Sequence, residues 1–294
     1  MCDDITETEN ARWLAGAAVN RRQFATLGAS AAALAVVPGC MATPDKGALP
    51  TASRAVTIDT PDGKCDAFFV YPAKGRHAAV IMWPDIAGLR DAYKTMGTRL
   101  AAAGYAVLVV NQYYRSAPAP LMSGLTEWRT PAGQAKLAPM IAAITPAGTT
   151  SDAAALVGWL DRQIVVDTRR RIGSCGYCMG GPFTVRTALA NPARVGAAAS
   201  FHGASLVNDT PDSPHALLAQ TRAAYLFAIA QNDDVRAPTD KVKLREAATA
   251  ARRPAEIEVY PAQHGWCTID APVYDKAAAE KAWGRMLALY RQYL

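Results

Sequence analysis

Regularly spaced cysteines are missing from this chain. Six cysteines occur; Cys2 and Cys40 belong to the N-terminal stretch, and Cys65, Cys175, Cys178 and Cys267 lack the even spacing of a disulfide framework. Cys175 and Cys178 form a C-x-x-C with no second ligand pair at suitable spacing, so zinc is not expected, and nothing else in the chain calls for a metal or a cofactor. Also missing is a basic stripe interleaved with aromatics. Lys plus Arg (31) exceed Asp plus Glu (25), but part of that excess is N-terminal, and nucleic acid is not expected as a partner. The densest basic run, Arg169 to Arg171, reads as a solvated turn ahead of a strand. No internal repeat occurs. The apolar run Ala25 to Val37 is short and alanine-rich, whereas a bilayer-spanning helix takes about 20 apolar residues.

What the N-terminus does contain is "NRRQFATLGASAAALAVVPGC", Asn20 to Cys40. Paired arginines, Arg21 and Arg22, followed by Gln23, Phe24 and a run of small apolar residues have the layout of a twin-arginine export signal. Residues 1–40 are therefore read as a leader for the twin-arginine export machinery and the protein as exported, to the periplasm. Two ends of the leader stay open: a lipid-bearing Cys40 at the close of "VVPGC", which would anchor the protein to a membrane, or cleavage after Ala42. Residues 41–53 read as a linker and residues 54–294 as one domain, long enough for a single sizeable core.

Within that domain short apolar runs alternate with longer amphipathic ones, the pattern of an α/β protein with a mostly parallel sheet and crossover helices on both faces. Continuously apolar, buried parallel strands are expected at His77 to Trp83 and Tyr105 to Asn111, with further strands at Arg171 to Tyr177, Gly196 to Phe201, Ala224 to Ala230 and Ala255 to Pro261. A hairpin is expected from "RAVTID" and "CDAFFVYP" around "TPDG". Helices are expected over Asp91 to Gly104 and from about Val273 to Leu294. Ser116 to Thr150, rich in proline and glycine, reads as an excursion over one end of the sheet.

The chemistry concentrates at "RIGSCGYCMGG". Strand, Gly176-Tyr177-Cys178-Met179-Gly180, then helix is a nucleophile elbow with cysteine at its tip. Its flanking glycines suit a turn too sharp for side chains, and a thiol at a helix N-terminus is favoured as thiolate. Later strands end at "NDDVRAP" and "YPAQHGWC", which deliver Asp233 (or its neighbour Asp234) and His264 to the sheet edge where catalytic groups collect. The order nucleophile, acid, histidine is that of an α/β-hydrolase triad, with His264 as base and Asp233 holding its tautomer. His202 in "SFHG" also ends a strand and reads as a substrate-side or structural residue. Tyr177 and Trp266 read as core or pocket wall.

With "GYCMGG", "NDDVRAP", "QHGWC" and "WPDIAGLRD" in place, the chain from about residue 54 onward resembles the dienelactone hydrolase family. The resemblance implies an α/β-hydrolase fold and hydrolysis of a small-molecule ester or lactone through a Cys-His-Asp triad and a thioester intermediate. It also implies Asp85 as a supporting acid, where the family more often has Glu, and the N–H groups of Ile86 and Met179 as the oxyanion hole. An arginine that closely follows the histidine in dienelactone-cleaving members is replaced here by Cys267 and Thr268 after Trp266. The family's other carboxylate-binding arginine would be Arg115 or Arg129. Two further readings remain: an exported thiol–disulfide oxidoreductase using Cys175 and Cys178, and a binding protein that keeps the fold without turnover.

Overall fold

In the computed structural model, residue 6, residues 8–15 and residues 47–294 are described. The leader arginines, Ala25 to Val37, Cys40 and Ala42 lie outside the described residues. Eight strands form one sheet in the order β1-β2-β4-β3-β5-β6-β7-β8, with β1 Thr51–Thr60, β2 Gly63–Pro72, β3 Ala79–Trp83, β4 Ala106–Val110, β5 Ile172–Tyr177, β6 Val195–Phe201, β7 Ala224–Ala230 and β8 Ala255–Tyr260. The first pair is the antiparallel hairpin, β2 also runs antiparallel to β4, and the six remaining strands are parallel. β1 begins three residues before the Arg54 boundary read from sequence, because Thr51 to Ser53 pair with Val70 to Pro72.

The parallel strands β3 to β7 are buried on both faces, and alternate residues feed two cores. In β3, Ala79, Ile81 and Trp83 join Leu156 and Leu160 of helix Pro146–Asp161 and Val185 of helix Gly181–Ala190. Val80 and Met82 join Tyr93 and Leu100 of helix Asp91–Ala102 and Met286 and Tyr290 of helix Lys276–Tyr293. That last helix starts after Val273, which lies in the preceding loop, at an Asp275 cap that accepts from Ala278 N.

The excursion is more helical than its composition suggests. Thr130 and Thr145 each accept a bond from the N–H three residues on, at 3.0 Å, and each is followed by proline at the first helical position. Proline suits that position because its missing N–H would have had no partner there. Helix Pro131–Ala142 and the start of helix Pro146–Asp161 thus fall inside the stretch read as irregular. Its Leu125, Trp128 and Leu137 pack in one cluster with Cys178 and Ile86, covering the C-terminal edge of the sheet.

That edge is where the chain reverses direction across the sheet: from β3 it returns to β4 on one side and to β5 on the other. Crevices in open α/β sheets form at such a switch point. Trp83 pairs with Gly176, so the loop after β3 and the turn after β5 face each other there.

Candidate active site

β5 ends at Tyr177, and the chain turns through a 3-10 segment, Cys178–Gly180, directly into helix Gly181–Ala190. Cys178 has φ 51°, a left-handed conformation that costs a non-glycine residue about 1–3 kcal/mol and persists only where the surroundings enforce it. The surroundings do so through glycine. A Cβ on Gly176 would lie 2.0 Å from the carbonyl oxygen of Gly180, and one on Gly180 would lie 2.4 Å from that of Trp83. The Cys178 carbonyl accepts from Ala204 N at 3.1 Å. The thiol, 1% exposed, faces a cavity it shares with Asp85, Arg129, His202 and His264.

His264 hydrogen-bonds Cys178 on one side and presents Nδ1 to Asp233 Oδ2 at 2.7 Å on the other. Asp233 stands in the first turn of helix Gln231–Arg236, immediately after β7, and its second oxygen accepts from Arg236 Nη2 at 2.9 Å. Its neighbour Asp234 is turned away to Lys241, 2.6 Å. The structure therefore brings Asp233, not Asp234, to the histidine. Asn232 completes the arrangement: its Oδ1 accepts from His264 N at 2.8 Å and fixes the backbone that carries the ring. Burial disfavours a charged His264, but Asp233 and the Cys178 sulfur outweigh it and raise the imidazole to about 10. The carboxylate and the sulfur both favour a protonated ring against the cost of burial.

The loop after β3 is held on every side. Asp85 N donates to Tyr93 Oη at 3.0 Å, Asp85 O accepts from Gln112 Nε2 at 2.7 Å, and Ile86 O accepts from Tyr113 Oη at 2.8 Å. Tyr113 also reaches Met179 Sδ at 3.8 Å, so one phenol braces both residues expected at the oxyanion hole. Asp85 does not point a free carboxylate at the thiol. Both its oxygens accept from Arg90, at 2.7 and 2.9 Å, and Arg90 also binds Asp270 through two bonds of 2.7 Å. Burial pushes the Asp85 carboxyl up and the arginine opposes it. Arg90, although burial works against its charge, is held strongly protonated by Asp85 and Asp270. Arg90 lies inside the quoted "WPDIAGLRD", five residues after Asp85, yet neither it nor Asp270 carried a sequence signal of this role; nor did Tyr113 or Asn232.

The remaining sequence candidates divide. His202 lines the cavity, 1% exposed, edge-on to His264 with ring centroids 4.8 Å apart. Among the described residues neither of its ring nitrogens has a partner. Burial, and then the charge of His264, push it well below its ordinary range, so it is neutral. Arg129 also lines the cavity. Arg115 does not: Asp62 and Asp152 bind its guanidinium at the hairpin edge. Tyr177 is one residue before Cys178, and strand alternation turns it to the opposite face, where it stacks on Phe201 at 5.0 Å. Trp266 is fully buried, stacked on Tyr260, with an edge against His202 but no wall of the cavity. Cys175 shares the face of Tyr177, and burial pushes its thiol up to about 12. The four described cysteines are free, and the two of the C-x-x-C pack in different clusters.

Relatives and solved structures share this architecture. The chain is 28% identical over 281 residues to a "Putative carboxymethylenebutenolidase" of Salmonella typhi, spanning 90% of this chain and 96% of that one. A protein of the same name from Methylorubrum extorquens is 28% identical over 283 residues, spanning 93% and 92%. A "Putative Dienelactone Hydrolase" from Klebsiella pneumoniae superposes with a TM-score of 0.71 at 23% identity, spanning 83% of this chain and 99% of that one; at that identity it supports the fold. The model of the dienelactone hydrolase family matches residues 65–294, which takes in the elbow, the loops that carry Asp233 and His264, and the sheet from Cys65 in β2 onward. This chain belongs to the dienelactone hydrolase family.

Proposed function

We propose that the protein hydrolyses a carboxylic ester or lactone through a thioester on Cys178. The observation that carries this reading is the left-handed Cys178 at the elbow, hydrogen-bonded to a histidine whose other nitrogen is held by Asp233. The relatives' names, which denote cleavage of a butenolide, point to the same bond type.

The sulfur adds to the carbonyl carbon as thiolate, and the carbonyl electron pair moves to oxygen, where the N–H groups of Ile86 and Met179 receive the charge. Collapse re-forms the carbonyl and breaks the carbon–oxygen bond, while His264 Nε2 gives its proton to the departing alkoxide. The neutral ring then takes a proton from water as that water attacks the thioester. Collapse of the second tetrahedral species expels Cys178 as thiolate beside a recharged imidazolium. The net change is ester plus water to acid plus alcohol, or to one hydroxy acid from a lactone. Arg129 on the cavity wall suits a substrate carrying negative charge, and neutral His202 can accept or donate a hydrogen bond to it.

Quenching a slow aryl ester reaction and mapping peptides by mass spectrometry tests this directly. The acyl adduct is expected on Cys178; an adduct on Cys175 alone, or turnover surviving Cys178→Ala, refutes it. We also propose that Arg21-Arg22 directs export by the twin-arginine route, which moves folded protein and so lets the thiols fold reduced. Replacing Arg21 and Arg22 by Lys should leave the protein in the cytoplasm, and unchanged export would refute the assignment.

A further inference from the structure

The cavity at Cys178 measures about 10 Å³, room for about one water molecule. Sites for small organic ligands run to about 300–1,000 Å³, so the site as it stands is shut against any ester. One of the residues that shuts it is Asn10, far outside the hydrolase domain in sequence. It lines the cavity with Cys178 and His264, is 2% exposed, and donates from Nδ2 to the His264 carbonyl at 3.1 Å.

Asn10 is not alone. Residues 8–15 are helical, and Thr6, Glu9, Asn10 and Leu14 recur at the three- and four-residue spacing that puts side chains on one helix face. Arg236 donates to Thr6 Oγ1 at 2.8 Å and lies 3.5 Å from Glu9. Glu9 also accepts from Asn232 Nδ2 at 3.0 Å. Leu14 packs against the cluster that contains Cys178 and Ile86. The receiving groups, Asn232 and Arg236, flank Asp233 and bond to His264 and Asp233 themselves. The segment is thus seated on the triad's own support.

We propose that Thr6 and residues 8–15 belong to an intramolecular plug that keeps the Cys178 site closed until the segment is removed or undocked. The anchorage is of the strength a releasable element needs. Among the described residues it includes hydrogen bonds of modest net worth, a partly exposed ion pair between Glu9 and Arg236 and the packing of Leu14. The plug precedes Arg21-Arg22, so any cut between residues 16 and 50 detaches it, including the cleavage at Cys40 or after Ala42 expected from sequence. A chain still carrying its leader is latent, and the processed chain is open.

The plug's meaning for catalysis rests on the esterase reading above, so its test has a readout that does not. In the full chain, Glu9→Lys with Asn10→Ala sets a cation against Arg236 and deletes the bond to His264. The rate of Cys178 alkylation by iodoacetamide, followed by peptide mass spectrometry, reports access to the thiol. With a docked form favoured by about tenfold or more, as in ordinary two-state equilibria, the variant should label about tenfold faster or more. A second full-length form, with a site-specific protease sequence placed between residues 16 and 46, should show the same rise once cut and none before. Equal labelling of wild type, double variant and cut chain overturns the plug. Hydrolysis of p-nitrophenyl acetate is measured in parallel. Faster labelling with no hydrolysis in any form keeps the plug and refutes the esterase, whereas equal hydrolysis and equal labelling in all forms keep the esterase and refute the plug.

Discussion

Replacing His264 by alanine is expected to lower kcat by about 10²–10⁴-fold, the range of a positioned general acid and base, while His202→Ala acts chiefly on KM. The two rings are edge-on neighbours, both buried and both at ends of loops that follow strands, and only their partners differ. His264 joins Cys178 to Asp233, so under the proposed mechanism its loss removes the proton donor to the leaving group, the proton acceptor from water and the counter-charge of the thiolate together. Groups acting as such a unit are strongly non-additive, and Asp233→Ala added to His264→Ala should cost little more. His202 lines the cavity and packs edge-on against His264 without hydrogen-bonding it, so its loss alters what fits more than what transfers protons. Steady-state kinetics on an aryl ester, with all variants in the same form of the chain, decide it; a kcat collapse in His202→Ala with His264→Ala nearly intact would reverse the assignment. The pH dependence of stability gives a second check. The folded imidazole is raised to about 10 from an ordinary 6.5. Protonated His264 therefore contributes its full stabilisation below about pH 6.5, and that contribution fades as pH rises toward 10. The stability gap between wild type and His264→Ala should narrow across that window and stay constant below it.

Arg90→Met is expected to destabilise the fold by about 3–5 kcal/mol, the usual result of removing one partner of a buried ion pair. Arg90 is 1% and Asp85 2% exposed. The substitution strips two donors from Asp85 and two from Asp270, and leaves a buried carboxyl that must lie unpaired or take up a proton. The double variant Asp85→Leu/Arg90→Met removes both charges and should recover much of the loss, since an apolar replacement of a whole buried pair is often close to neutral. Urea denaturation reads this as a lower midpoint at unchanged slope for Arg90→Met and a partial return for the double variant. An Arg90→Met midpoint equal to wild type would show that the pair contributes no net stability. Activity should not return in the double variant, because Asp85 and Ile86 form the loop that faces the thiol across the switch point.

The centre of the sheet was legible in the chain because β3 and β4 are continuously apolar over strand length, which leaves little choice but burial on both faces. All eight strands appear at the runs read as strands, and the hairpin turns at Thr60 to Gly63. The excursion was less legible because proline and glycine count as breakers until their position is known. At Pro131 and Pro146 the prolines start helices instead, each behind a capping threonine. In the site, the elbow was legible because its demand is local: a strained residue between glycines, each of which would collide with backbone if it carried a Cβ.

Which aspartate met the histidine was not legible. Asp233 and Asp234 differ only in the direction a short helix points them, and that direction depends on how helix Gln231–Arg236 sits against β7 and β8. Arg115 and Arg129 were equal candidates on paper; the fold gave one to Asp62 and Asp152 and the other to the cavity. Tyr177 and Trp266 went into the core because their faces were set by strand alternation and stacking.

By itself, then, the sequence determined the α/β sheet, the elbow with Cys178 and the order of the acid and the histidine after it, all of them consequences of short-range patterns. The tertiary structure alone decided the Arg90–Asp270 bonds across 180 residues, the Tyr113 brace beneath Ile86 and the seat of Asn10 on His264 across 254. Such contacts join segments whose distance in the chain carries no trace of their distance in space. They form only because burial in a shared crevice leaves each polar group no other partner than the one the fold brings to it.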